Sequence, residues 1–209
     1  MVKFIESELV LLKKEIDEMW TLVYNQLDRA GEAVLTFDRE LAQQVLVRER
    51  RVNALELKID SDVEDTNLER LGDFAEGIAR FVLNCKEPVL DPDLLKQLRL
   101  EEMQAQVLAM LELAKKALQE ESQDLATSVF AKDNLLDEIN AEATTILAGY
   151  IAKHPDSVLP CLNLVSVFRK LERSGDHITN IAEEIVFFID AKVLKHSGKT
   201  DEHYPLSKK

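Results

Sequence analysis

A six-residue pattern that occurs twice limits what this chain can become more than any other feature. Leu68-Glu69-Arg70-Leu71-Gly72-Asp73 and Leu171-Glu172-Arg173-Ser174-Gly175-Asp176 both read L-E-R-x-G-D, and each continues to an Ile-Ala pair, Ile78-Ala79 and Ile181-Ala182. On a helix, Glu and Asp four residues apart project from one face, one turn above the other. Like charges at that spacing repel by about a few tenths of a kcal/mol, so local helix stability does not account for the pattern. An electropositive partner does, and its presence in both halves implies two equivalent sites.

The repeat extends beyond the motif. Leu41-Ala42-x-x-Val45 matches Leu125-Ala126-x-x-Val129, and Glu49-x-x-x-Asn53 matches Asp133-x-x-x-Asp137 at the same offset of 84 residues. The two motifs stand 103 residues apart, so the first half is 19 residues shorter between its paired helices. With only 6 Gly and 5 Pro, long uninterrupted helices are favoured over turn-rich β structure. Ile5, Leu9, Leu12, Ile16, Met19, Val23 and Leu27 alternate spacings of four and three, an amphipathic helix with Trp20 bordering its apolar stripe as a core or interface residue. Thr36 or Asp38 can cap a second helix through Val45, Val52 and Ile59, and a third carries Leu68, Ala75 and Val82. Asn84 to Asp93, with Pro88 and Pro92, is the clearest boundary, and Asp91-Pro92 reads as an N-cap and first helical residue. A fourth helix follows over Leu94 to Leu118, a fifth from Ser122 or Asp124 to about Ala152, and a sixth opened by Pro160 after the His154-Pro155 break and ending near His196. The expected fold is all-α: two tandem three-helix bundles, six helices related by an internal pseudo-two-fold repeat. The expected units are residues 1–85 and 91–196, with a disordered tail over 197–209.

The net charge of −13 argues against a nucleic-acid partner and against simple attachment to anionic lipid. Acids follow Met1 too early for a signal peptide, and no apolar run approaches the ~20 residues a bilayer requires. Cys85 and Cys161 make no disulfide framework and fit a reducing compartment. The chain is expected to be soluble and cytoplasmic.

In the second half, Asp133 and Asp137 share one helix, Glu172 and Asp176 the helix beside it, and Asn180 adds one more turn. Glu49, Asn53, Glu69 and Asp73 are the counterparts in the first half. One acidic pair alone is what a solvated helix face of so acidic a chain would show. Both pairs duplicated in register point instead to a hard cation held through oxygen, such as iron, manganese or magnesium. Gly72 and Gly175 each cost ~1 kcal/mol inside a helix, which close helix approach or room for a ligand would explain. Arg70 and Arg173 read as surface ion pairs worth little, and His177 as a packing or surface residue. Catalysis has poor support. There is no Glu-x-x-His for a bundle di-iron site, no Gly-rich phosphate loop, no nucleophile elbow and no Cys/His zinc cluster. A metal-dependent hydrolase or oxidase on these carboxylates is the alternative reading, and a turnover assay with iron, manganese and zinc separates it from a non-enzymatic one.

The tandem L-E-R-x-G-D motifs, followed by Phe74-Ala75 and by His177-Ile178-Thr179-Asn180-Ile181-Ala182-Glu183-Glu184, resemble the PhoU family of phosphate-regulation proteins over nearly the whole chain up to about His196. The resemblance implies a six-helix cytoplasmic protein, often a homodimer, that regulates the phosphate-specific ABC transporter. It implies a transporter ATPase and a phosphate-sensing histidine kinase as partners, the membrane being reached only through them. It also implies iron, zinc or other cations at E/D-x-x-x-D motifs, here Glu69/Asp73 and Glu172/Asp176, with Asp133/Asp137 on the partnering helix. The chain departs from the family where Asp65 runs almost straight into Asn67-Leu68-Glu69, without the usual proline turn and Asp-Leu-Arg segment. Either the first bundle is naturally short or a segment is missing from the sequence near Asp65; Asp65-Thr66-Asn67 carries no turn signal, which favours the missing segment.

Overall fold

Apolar stripes on successive helices determine how the chain packs. The computed structural model describes residues 2–59, 66–85 and 92–197, and side chains at 11, 13–55, 67–85 and 93–192. Among them there is no strand. The helices are α1 (Val2–Thr36), α2 (Arg39–Ile59), α3 (Thr66–Asn84), α4 (Pro92–Gln97), α5 (Leu100–Glu120), α6 (Gln123–Lys153) and α7 (Val158–Ser197), with a 3₁₀ turn over Pro155–Ser157. No helix among the described residues is long and apolar enough to cross a membrane.

Helices α1, α2 and α3 pack on one another, and so do α5, α6 and α7. The two sets meet where α3 lies on α7 and α1 on α5, and one continuous apolar core runs through both. Met19, Val23 and Leu27 of α1 are buried as the stripe requires. Trp20 is buried as well, and its indole Nε1 donates to the Leu111 carbonyl of α5 at 3.3 Å, so it sits at the seam between the sets. The turn into α2 is capped by Asp38, whose Oδ1 accepts from the Leu41 amide at 2.9 Å. Ser122 caps α6 in the same way, its Oγ accepting from the Leu125 amide.

The expected fourth helix is not continuous, and this makes seven α-helices among the described residues where six were expected. Arg99 takes a left-handed backbone, φ 56°, and separates α4 from α5. The reason lies on either side of it. Leu98 and Leu100 are both buried, yet in a straight helix two residues two apart point ~200° away from each other. The break turns both into the core. It is held from outside by the Arg99 guanidinium, which reaches Glu102 at 2.8 Å and Glu138 and Glu142 of α6 at 2.7 and 3.1 Å. The expected gap near Asp65 and the expected tail after Ser197 lie outside the described residues.

Candidate carboxylate sites

In the first set of helices, Glu49 projects inward from α2 and is only 4% exposed. Its Oε2 accepts a hydrogen bond from the Gln26 amide of α1, while its Oε1 is buried with no partner. Burial pushes its carboxyl up to about 7; the Gln26 hydrogen bond opposes this, and the nearby Glu76, Asp73 and Glu69 add to it. Gly72 of α3 faces the same carboxylate. A methyl group built on it would meet Glu49 Oε1 at 3.3 Å and Val52 at 3.2 Å. Beside Glu49 opens a cleft of about 310 Å³, lined by Asn53, Glu76, Arg50 and Arg80 among others.

The second set repeats this arrangement. Asp133 of α6 is half-buried, and burial raises its carboxyl to about 6, with Asp137 and Asp176 contributing. A methyl group on Gly175 of α7 would fall 2.5 Å from Asp133 Oδ1 and 2.4 Å from Leu136 Cδ1. Glu172 is also raised, by burial first and then by Asp176, Asp137 and Asp133, with Arg173 opposing. In both sets, then, the inward acid of one helix abuts the glycine of the motif on the next. This is the close approach that the two glycines make possible.

The structure therefore brings Glu49, Glu69 and Asp73 into one electrostatic neighbourhood and Asp133, Asp137, Glu172 and Asp176 into another. Asn53 is exposed on the cleft beside Glu49, and Asn180 is exposed one turn beyond Asp176. Among the described residues, no three His, Cys, Asp or Glu side chains already stand where one ion could reach them all. Sequence reasoning missed two participants. Glu76 adds to the field on Glu49, and its place seven residues after Glu69 puts it on the same helix face, so the motif already held the signal. Gln26 lies on a different helix, and nothing in the sequence ties it to Glu49.

The residues flanking the motifs build the seam between the two sets. His177 Nδ1 donates to Asn67 Oδ1 at 2.9 Å, and Asn67 Nδ2 donates to Glu184 at 3.0 Å. His177 also lies against Phe74, and burial, with Arg173 nearby, lowers its pKa. It packs, as the sequence suggests. Arg70 makes the expected exposed pairs, 3.2 Å to Asp73 and 3.7 Å to Glu69. Arg173 instead lies over the Phe74 ring, 5.3 Å from its centroid.

Comparison with known proteins matches the PhoU domain family to residues 16–82 and 100–185, once in each set of helices. The chain is 28% identical over 212 residues to the phosphate-specific transport system accessory protein PhoU homolog 1 of Thermotoga maritima, covering 91% of this chain and 90% of the relative. It is 28% identical over 216 residues to the corresponding PhoU homolog of Pseudomonas aeruginosa, covering 93% and 88%. The crystal structure of PhoU from Pseudomonas aeruginosa is similar with a TM-score of 0.70 at 26% identity, covering 90% of this chain and 99% of that one. The phosphate transport system regulatory protein PhoU from Streptococcus pneumoniae shares the fold with a TM-score of 0.76, covering 90% and 97%. Two motif-bearing helical repeats, both matched by one family over most of their length, place this chain in the PhoU family.

Proposed function

We propose that this chain is a non-enzymatic accessory regulator of phosphate uptake, acting in the cytoplasm as a homodimer. In this reading it docks on the ATPase of the phosphate ABC transporter and links that transporter to a phosphate-sensing histidine kinase. The observation that carries the reading is the family match in both halves, together with relatives named as phosphate-specific transport accessory proteins. The carboxylate clusters serve it as structural or sensory cation sites, for iron, zinc, manganese or magnesium. Three features fit a hard cation: a donor set made of oxygen, the orphaned Oε1 of Glu49, and the close approach of Glu49 and Asp133 to the motif helices that Gly72 and Gly175 allow. Glu49, Glu69, Asp73 and Glu76 would hold one ion, and Asp133, Asp137, Glu172 and Asp176 the other, with side-chain rotation closing each set on its ion. A bound cation supplies charge neutralisation where several carboxylates crowd one another.

A pull-down with the purified transporter ATPase and the kinase tests the docking, with and without chelator. Retention of both partners, weakened by chelation, is the expected result. Failure to retain either one, with a chain that is folded by circular dichroism, would remove the docking claim.

A further inference from the structure

A second cleft lies away from the carboxylate clusters, between the C-terminal half of α1 and the α4–α5 break. It encloses about 770 Å³, within the ~300–1,000 Å³ typical of binding clefts. Leu35, Leu95, Leu100 and Leu108 line it with apolar surface, and Asp28, Glu32 and Glu101 stand on it as acids. These three acids have no cationic partner among the described residues. The Arg99 guanidinium beside them is committed to Glu102, Glu138 and Glu142, which leaves Lys96 as the lining's free cation among the described residues.

The cleft is also preformed. A methyl group on Gly31 would overlap the Gln104 side chain at 1.8 Å, so the glycine lets Gln104 of α5 press against α1, where its Nε2 donates to the Asp28 carbonyl at 2.9 Å. That contact fixes the spacing of the two walls. Gln104 lines the cleft and is only 7% exposed, yet its Oε1 has no partner. A buried acceptor left unpaired costs ~1–3 kcal/mol, which an incoming donor would recover.

We infer that this cleft is a docking groove for a cationic amphipathic helix of a partner protein, leucine-like residues entering the floor and Lys or Arg meeting the acidic wall. Such helix-in-groove recognition takes specificity from apolar anchors and association rate from charge. The inference goes beyond the regulatory reading and does not depend on it.

Fluorescence anisotropy with a labelled Leu/Lys amphipathic 14-residue peptide tests it, against a scrambled peptide of the same composition. The amphipathic peptide should bind at least tenfold more tightly than the scrambled one. Glu32→Lys/Glu101→Lys should weaken binding tenfold or more, and Leu35→Gln should weaken it without changing the salt dependence. Hydrogen exchange of the wild-type chain should show peptide protection over 28–36 and 95–108, a readout that needs no variant. Equal binding of the two peptides, undiminished binding by the charge variant, or protection elsewhere would each overturn the groove.

Discussion

Glu49 and Gly175 show how single residues carry the account. The Glu49 carboxyl, lifted from the usual 4.5 to about 7, is held protonated by the fold longer than by the unfolded chain. Below the unfolded value both states are neutral and the residue costs nothing. As pH rises from about 4.5 to 7 the unfolded state ionises first, so the cation-free protein loses stability across that window. The loss is on the order of 2–3 kcal/mol. Urea titrations at pH 5 and pH 8 should show it, Glu49→Gln should remove most of it, and an unchanged pH dependence in the variant would refute the assignment. Gly175→Ala should also destabilise despite the ~1 kcal/mol that alanine gains in a helix, because Leu136 is fully buried and cannot withdraw from a methyl only 2.4 Å away without strain of ~1–3 kcal/mol. Gly72→Ala, with contacts of 3.2–3.4 Å, should be near neutral, and exposed Gly149, with nothing within 4 Å, should stabilise as alanine. An order other than Gly149, Gly72, Gly175 from most to least tolerant, read by thermal unfolding, would contradict the packing. Much of this was legible beforehand: the duplicated Glu/Asp rows marked both carboxylate clusters, and Glu76 lay in plain view on the same face. Gln26 was not, since its contact with Glu49 exists only once α1 and α2 have packed.

At the scale of elements, helix ends and stripes followed from capping chemistry and periodicity, as at Asp38, Ser122 and His154-Pro155. The break at Arg99 did not. Leu94 and Leu98 continue a helical stripe, no Gly or Pro interrupts it, and only the demand to bury Leu98 and Leu100 together forces the left-handed residue. Substitution distinguishes the two geometries by sign. In a continuous helix glycine at position 99 would be worse than alanine by ~1 kcal/mol. In a left-handed residue glycine should be better than alanine by ~1–2 kcal/mol, because alanine carries the Cβ penalty there. Urea midpoints of Arg99→Gly and Arg99→Ala decide it, and alanine proving the more stable would restore the straight helix.

For the whole molecule, the repeat announced two like halves but said nothing of how they join. The join is built from His177, Asn67 and Glu184, from Arg173 on Phe74, and from the Lys170 stem, which comes within 2.4 Å of where a Gly77 methyl would stand. These contacts pair residues about a hundred positions apart, beyond the reach of any local pattern. They make the motif helices α3 and α7 at once the walls of the carboxylate clusters and the seam between the halves. The role we propose for this chain is to restrain phosphate uptake and phosphate-regulon signalling. Its most direct test is a phosphate-regulated reporter in cells lacking the chain, grown in ample phosphate. The reporter should switch on, be silenced again by the wild-type chain, and be silenced poorly by Glu49→Gln/Asp133→Asn at equal protein level. A reporter that stays silent when the chain is removed would contradict it.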